Sequence, residues 1–539
     1  MNEPEAKISS WKASLSPLSQ PLFRALWIAS IVSNIGTWMQ EVGEGWLMTT
    51  LTTSPALVGL LETAVTLPMF LFSLPAGALA DILDRRRILI FTQIWMLVAA
   101  ALLGVLALTG GVTPGVLLLL SFFLSIGGAI NGPAWQASIP DIVPKPELSS
   151  AIALGSVGFN LARAVGPALG GLVIAASGPW AAFILNAVSF LAVIVVLIRW
   201  RREHHESILP AERVMGAMRA GLRYVRFSPV LQSVLVRTGA FMIFASAMWA
   251  TLPFIARHEM GLSAFQYGML IGSFGTGAIA GAGVLASLRT RISIDAVVRV
   301  STLCFAALIL TLAFVRSFFP VAAAMFVGGM GWMSMMSSLT TAAMLASPSW
   351  VRARSMSLYI LVFMGCFAAG GALWGFAGSH FGMSSTLSIA AFGLIAGLAA
   401  TLRYRLASDG KVDLTPSMHW PAPEGVFEPH PDDGPVMITV DYRIKPENAP
   451  GFSAAIHALG KVRRRDGAIQ WGVFTDLEDP EKHVETFIVE SWAEHLRQHD
   501  RVTMADREVE LKAQSFHSGP AVPEVRHLIY SSEDPPTGS

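Results

Sequence analysis

Three glutamates, at positions 41, 44 and 62, stand inside long apolar stretches of the sequence. An ionised carboxylate near the centre of a bilayer costs at least about 2.5–3.5 kcal/mol, so each of these residues needs a reason to be there. A carboxyl group in such surroundings can take up and release a proton. We therefore expect Glu62, alone or coupled to Glu41, to be a protonation site, and we expect Glu44 to reach water at the membrane face.

Other polar residues fall on the same helical faces or in other apolar stretches. Asn34, Trp38 and Glu41 recur at helical spacing and are expected to line a central cavity. Arg163 should face protein, with one of the acids or an anionic substrate group as its partner. Asn131, Gln136 and Asn160 are further candidates for reading a ligand. Each amide is equally explained as an interhelical hydrogen bond worth about 1 kcal/mol.

The composition indicates the elements that must position these residues. The chain has 539 residues, of which 53% are hydrophobic and 14% charged, and its mean hydropathy is +0.54. Such a chain is expected to be embedded in a lipid bilayer. Windows long enough to cross a bilayer occur at about 22–50, 56–80, 88–109, 112–138, 150–176, 179–200, 229–256, 265–288, 295–315, 319–346, 354–378 and 384–404.

Basic residues are concentrated in every second connection between these windows. The sequence 77–87, "GALADILDRRR", is one such connection, and Lys145, Arg199, Arg352 and Arg403 mark others. By the positive-inside tendency, an even number of spans then places both termini in the cytoplasm of a bacterial-type inner membrane.

The sequence predicts six regions along the chain. They are an N-terminal cytoplasmic tail (1–20), a six-helix bundle (21–200), a cytoplasmic linker (201–228), a second six-helix bundle (229–405), a Pro-rich linker (406–433) and a terminal domain (434–532). The two halves resemble each other weakly, for example "ARAVGPALGG" (162–171) and "FMGCFAAGGALWG" (363–375). Two repeats of one orientation are typical of transporters that carry a small molecule between the halves. The Met and Trp residues of "GGMGWMSMMSS" also suit an adaptable binding wall.

The terminal domain has a different pattern from the spans. Alternating and amphipathic segments follow in the order β-α-β-β-α-β, with a single second helix expected over "AEHLRQHDRVTMADREVELKAQSF". The predicted fold class is thus an all-α membrane protein with twelve transmembrane helices in two six-helix repeats, plus a C-terminal α+β ferredoxin-like domain.

Several function classes are excluded by what the sequence lacks. It contains no Gly-x-x-x-x-Gly-Lys-Ser/Thr loop for ATP, and neither Cys304 nor Cys366 stands in a metal-binding pattern. The basic run at 461–465 is too short to indicate nucleic acid. We therefore expect no cofactor, no metal and no nucleic-acid partner.

The segment 77–87 resembles the signature of the major facilitator superfamily, Gly-x-Leu-Ala-Asp-Arg-x-Gly-Arg-(Arg/Lys). Gly77, Asp81, Arg85 and Arg86 are in register, while Ile82 and Asp84 replace the family's Arg and Gly. The resemblance implies a conformational latch in which the acid and the arginines hold one state of the rocking halves. In this latch Gly77 would allow two helices to approach closely. The alternative is that the arginines only fix topology.

The segment 162–171 resembles the Gly-Pro-x-x-Gly-Gly antiporter motif of exporters, carried here by Gly166, Pro167, Gly170 and Gly171. Residues 20–405 as a whole are similar to the transmembrane secretion effectors, the branch that includes the enterobactin exporter. This resemblance implies the major facilitator fold and proton-driven export of a small amphipathic compound, such as a drug or a siderophore.

The segment "FIVESWAEHLRQHDRV" resembles antibiotic-biosynthesis monooxygenase-like domains, in which a Trp ends a strand and the next helix presents a His. Trp492, His495 and His499 would form the corresponding site. The resemblance implies either a binding or assembly role, including dimerisation through the sheet, or cofactor-independent oxidation. The alternative function is accordingly a membrane-anchored monooxygenase whose spans only hold this domain.

Overall fold

A computed structural model of the chain describes residues 15–200, 214–288, 292–406, 413–420 and 429–530. Contacts divide the chain into two compact units, which are residues 1–211, 235–340 and 359–405, and residues 212–234, 341–358 and 406–539. In chain order, the helices and strands are α1 (Pro21–Leu51), α2 (Pro55–Ile82), α3 (Arg85–Leu108), α4 (Pro114–Ser138), α5 (Leu148–Ser177), α6 (Pro179–Arg199), α7 (Val214–Phe227), α8 (Pro229–Phe254), α9 (Ala264–Leu288), α10 (Ile294–Phe314), α11 (Phe318–Leu345), α12 (Arg352–Phe381), α13 (Met383–Thr401), β1 (Val436–Arg443), α14 (Ala449–Asp466), β2 (Gln470–Thr475), β3 (Lys482–Val489), α15 (Trp492–Arg501), α16 (Met504–Gln514) and β4 (Glu524–Ile529).

Twelve long helices, α1–α6 and α8–α13, occur in the part of the chain that the structure describes. They lie in the first unit, except for the start of α8, the end of α11 and the start of α12. Each predicted window overlaps one of them, and the predicted all-α membrane fold is confirmed. Eleven of the helices are long and apolar enough to cross a membrane. The twelfth, α1, spans 31 residues but carries Arg24, Glu41 and Glu44.

Local signals in the sequence explain where these helices begin. Proline stands at the start of α1, α2, α4 and α6, where its missing N–H costs no hydrogen bond. Two tight turns need glycine at positive φ, since Gly178 joins α5 to α6 at φ +94° and Gly382 joins α12 to α13 at φ +77°. The two glycines occupy equivalent places in the two six-helix halves, which supports the internal repeat.

The two halves touch along two seams where helix backbones meet directly. A Cβ atom at Gly268 on α9 would lie 2.5 Å from the carbonyl oxygen of Pro167 on α5, and one at Gly59 on α2 would lie 2.5 Å from the Cα of Gly375 on α12. Small residues permit this approach between membrane helices. Both seams lie toward the end of the bundle at which α2 and α9 begin and α5 and α12 end.

The second unit contains a four-stranded antiparallel sheet with strand order β2-β3-β1-β4. This is the ferredoxin-like arrangement that the sequence predicts. Val440 and Tyr442 of β1 pack with Phe452 and Leu459 of α14 in its core. The predicted single helix after β3 is instead two, α15 and α16, because Thr503 forms a capping box that starts a new helix.

Helix α7 belongs to this same unit, in which arginine contacts join α7 and Trp350 to the C-terminal domain. Arg223 binds Glu494 (Nη2 to Oε1, 3.2 Å), and Arg465 lies over the ring of Tyr224 at 5.6 Å. Arg501 likewise lies 4.7 Å from the ring centroid of Trp350. The unit is thus held by charged and cation–π contacts as well as by apolar packing. Of the predicted linkers, residues 201–213, 407–412 and 421–428 lie outside the described residues.

Two buried groups of this unit make its stability depend on pH. Burial, together with the neighbouring imidazoles of His527 and His499, lowers the pKa of His495 to about 3. Burial raises the pKa of Glu510, but the charge of Arg463 and hydrogen bonds to the carboxylate outweigh it and bring the pKa to about 2. In both cases the unfolded chain binds the proton more readily than the folded one, so stability present at neutral pH is lost on acidification.

We predict that residues 434–530 lose hydrogen-exchange protection between about pH 7 and pH 5, because His495 resists the proton that the unfolded chain accepts below about pH 6.5. His495→Gln should remove most of that loss, and the exposed His457→Gln should not. Amide exchange of the full-length protein, corrected for intrinsic rates, measures this. Equal protection at the two pH values would contradict the prediction.

Candidate functional site

The helices of the first unit enclose a cavity of about 390 Å³ that both six-helix halves line. Its size lies in the range of pockets that hold drug-sized molecules. The lining residues include three carboxylates, one guanidinium and a group of aromatic rings. They come from α1, α2 and α5 on one side and from α8, α9, α11 and α12 on the other.

The three glutamates of the apolar stretches all line this cavity. Glu41 is exposed and Glu62 is half-buried. Glu41 interacts electrostatically with Glu62, Glu44 and Arg163. Glu41 and Glu44 stand on adjacent turns of α1, and Glu62 comes from α2. The packing of these helices therefore brings the three carboxylates to one surface.

Glu44 does not reach water as the sequence led us to expect. Only 3% of its surface is exposed, and its Oε1 accepts a hydrogen bond of 2.7 Å from Gln40 Nε2. The Oε1 of Gln40 in turn accepts a hydrogen bond of 2.7 Å from Asn186 Nδ2 on α6. A short polar chain inside the bundle thus satisfies this carboxylate.

Arg163 lies beside the cavity and rests on aromatic rings. Its guanidinium is 5.5 Å from the ring centroid of Trp38 and 5.7 Å from that of Phe274. Within the described residues, no carboxylate oxygen is within 4 Å of it, and its buried Nε has no hydrogen-bond partner. The guanidinium is therefore held by cation–π contacts rather than by a direct ion pair.

The opposite wall is aromatic, and most of it was missed from the sequence. Trp332 and Met336 come from the segment expected to form an adaptable wall, but Trp249, Phe363 and Phe367 had no signal that marked them. The ring of Trp332 lies 6.2 Å from Trp249 and 6.1 Å from Phe367. These contacts form a continuous surface of aromatic side chains on α8, α11 and α12.

The amides predicted to line the cavity do not line it. Asn131 Nδ2 donates to Thr92 Oγ1 on α3 at 2.8 Å, and Asn160 Nδ2 donates to the carbonyl of Ser156 at 2.9 Å. Gln136 is exposed, and Asn34 is half-buried outside the lining. Asn131 thus makes the interhelical hydrogen bond that the sequence left open as an alternative, whereas the bond of Asn160 lies within its own helix. Of the residues on the face of α1 that were expected to line the cavity, Trp38 and Glu41 do so, and Asn34 does not.

The arginines of segment 77–87 bind helix ends of the first half. Arg85 Nη1 donates to the carbonyl of Ala137 at 2.7 Å and contacts Asp141 Oδ2 at 3.4 Å. Arg86 donates to the last carbonyls of α6, at Leu197 (2.9 Å) and Ile198 (2.7 Å). Cations at helix C-termini are favoured by the helix dipole.

The two other members of the predicted latch are Gly77 and Asp81. Among the described residues, a Cβ atom at Gly77 would meet nothing within 4 Å, so the close helix approach expected there is not found among them. The side chain of Asp81 lies outside the described residues. The role of this segment as a latch stays a prediction.

The glycines of segment 162–171 are closely packed on two neighbours. A Cβ atom at Gly166 would lie 2.6 Å from Trp38 Cβ, and one at Gly170 would lie 2.8 Å from Met39 Cα, both on α1. One at Gly171 would lie 2.7 Å from the carbonyl of Ala264 on α9. Pro167 is buried between them. The segment therefore joins α5 to the adjacent helix of its own half and to the seam with the other half.

The candidate residues of the C-terminal domain also come together. Trp492 and His495 have ring centroids 5.4 Å apart, and the Nε2 atoms of His495 and His499 are 3.3 Å apart. His527 on β4 adds a third imidazole, 4.7 Å from His495 between ring centroids, and it was missed because its strand is distant in sequence. No group of three or more His, Cys, Asp or Glu in the described ranges is arranged to hold a metal.

Comparison with known proteins gives a family match over almost the whole chain. The family model described as "Transmembrane secretion effector" matches residues 12–535. The multidrug efflux pump Tap of Mycolicibacterium fortuitum is 29% identical over 46% of this chain and 64% of its own length. The staphyloferrin A transporter of Staphylococcus aureus is 28% identical over 31% of this chain and 43% of its own length. The enterobactin exporter EntS of Salmonella typhi is 26% identical over 72% of this chain and 93% of its own length.

Solved structures show the fold of the first unit. An inward-facing, unoccupied bacterial homologue of the lysosomal transporter Spinster has a TM-score of 0.53 at 17% identity, and covers 71% of this chain and 94% of its own. An inward-facing bacterial homologue of ferroportin has a TM-score of 0.57 at 13% identity. The match covers 71% of this chain and 98% of the homologue. The chain matches less than two thirds of the length of the multidrug efflux pump and of the staphyloferrin A transporter. The family model, by contrast, matches nearly all of this chain. The chain therefore belongs to the transmembrane secretion effector family of the major facilitator superfamily.

Proposed function

We propose that this multi-pass membrane protein exports a small amphipathic organic compound by alternating access, in exchange for protons. The observation that carries the proposal is a cavity lined by both six-helix halves, in which the three carboxylates come from the first half and most of the aromatic rings come from the second. The names of a multidrug efflux pump and an enterobactin exporter among the relatives support the direction of transport. The location we propose is the bacterial inner membrane, with both termini in the cytoplasm.

Alternating access requires the two seams to open. The glycine contacts of α5 with α9 and of α2 with α12 close the cavity at one end of the bundle. If the termini are cytoplasmic, that end faces outward, and cargo enters from the cytoplasm. Protonation of Glu41 or Glu62 would remove a charge from the cavity after cargo leaves, which lowers the cost of returning.

The alternative of a membrane-anchored monooxygenase has no support. The family model covers the spans and the terminal domain together, and the relatives in sequence reported above are transporters. Dimerisation through the sheet of the terminal domain stays a prediction, as does a role for its histidines.

We predict that Glu62→Gln uncouples transport from the proton gradient, because the amide cannot carry a proton. In proteoliposomes, efflux of a compound first selected by thermal stabilisation of the purified protein should fall at least about tenfold under a pH gradient. Exchange of that compound without a gradient should persist. Glu447→Gln, at an exposed position of the terminal domain, is the control. Unchanged coupling in Glu62→Gln would remove this residue from the mechanism.

We also predict that Gly268→Leu prevents closure of the α5–α9 seam, because its Cβ has no room beside Pro167. Transport should fall more than about tenfold, and a cysteine at Ala264 should become more accessible to an impermeant maleimide in a Cys304→Ala, Cys366→Ala background. Gly283→Leu on the same helix is the control, since a Cβ there meets nothing within 4 Å. Wild-type transport by Gly268→Leu would show that the seam is not needed.

A further inference from the structure

We infer that the cavity binds lipophilic organic cations with an aromatic body in preference to anions of the same size. This inference rests on the proposed function and names the substrate class of that same cavity. It depends on three properties of the lining. These are its net charge, the lack of hydrogen-bond partners for two of its carboxylates, and the position of its aromatic rings.

When its carboxylates are ionised, the cavity carries a net negative charge. Its lining contains three carboxylates and one guanidinium, and no lysine. Arg163 is held over the rings of Trp38 and Phe274, and no carboxylate oxygen lies within 4 Å of it in the described part of the chain. An anion entering here would meet two or three carboxylates for every guanidinium.

Two of the carboxylates are free to receive a ligand. Glu44 already accepts a hydrogen bond from Gln40. Glu41 and Glu62 accept no side-chain hydrogen bond from any other described residue, although both line the cavity. A cation placed between them would compensate charge that the protein leaves uncompensated.

The opposite wall supplies surfaces that attract cations and aromatic groups. Phe363 and Phe367 are stacked with an interplanar angle of 8°, and the ring of Trp332 borders both. Among the described residues, the buried indole N–H of Trp249, which is part of the lining, has no hydrogen-bond partner. Ring faces stabilise a nearby cation most strongly where water is excluded.

Tetraphenylphosphonium and tetraphenylborate have nearly the same shape and opposite charge, so they isolate the sign of the ligand. Their binding is measured by equilibrium dialysis with the full-length protein in nanodiscs. We expect the phosphonium to bind at least about tenfold more tightly than the borate, and we expect Glu62→Gln, Glu41→Gln and Trp332→Leu each to weaken it about tenfold. Glu447→Gln and Phe319→Leu, the latter on α11 with 81% of its surface exposed, should bind as wild type does.

Equal or tighter binding of the borate would overturn the inference, as would full phosphonium binding in both glutamate variants. The glutamate variants keep the test valid if Trp332→Leu does not fold. Failure of the proposed function is a different result, in which phosphonium binds with the expected preference but is not moved by a pH gradient in proteoliposomes. Conversely, efflux of the borate driven by a pH gradient would support the proposed export function and contradict the inferred preference for cations.

Discussion

The cost of placing carboxylates inside an apolar bundle is the constraint on which the rest of this structure depends. Glu41, Glu44 and Glu62 cannot face lipid as ions without a penalty of several kcal/mol, and all three line an internal cavity instead. The faces of α1 and α2 that carry them must therefore point inward. This orientation places the remaining faces of both helices against lipid or neighbouring helices.

The same constraint explains why the two halves are built differently. The first half supplies the charges and keeps Glu44 satisfied through Gln40 and Asn186. The second half supplies most of the rings, which tolerate both a dry and a ligand-filled cavity. Between the halves, the seams consist of backbone contacts at glycines, with one side-chain hydrogen bond from Thr63 Oγ1 of α2 to the carbonyl of Ala368 on α12 at 2.7 Å. Such seams can separate as whole surfaces, as rigid-body motion of the halves requires.

Sequence reasoning located the charged part of the site and little of the rest. Glu41, Glu62 and Arg163 were identified because a charge in an apolar stretch allows few positions. Trp249, Phe363 and Phe367 carry no such signal, since an aromatic ring is equally stable against lipid, core or ligand. The prediction that the amides line the cavity was wrong because an amide has other ways to be satisfied. Asn131 donates to a neighbouring helix, and Asn160 donates within its own helix. In the terminal domain, strand alternation predicted the order of elements, but the break at Thr503 depends on one capping box.

The central claim is that protons and cargo exchange at the carboxylates of one cavity, and release of protons on binding tests it most directly. Purified protein in weakly buffered detergent solution receives tetraphenylphosphonium at neutral pH, and a pH-sensitive dye records the protons set free. The account predicts a stoichiometric release that disappears in the Glu41→Gln, Glu62→Gln double variant. Phosphonium binding to the wild type with no proton release, or the same release from the double variant, would contradict it.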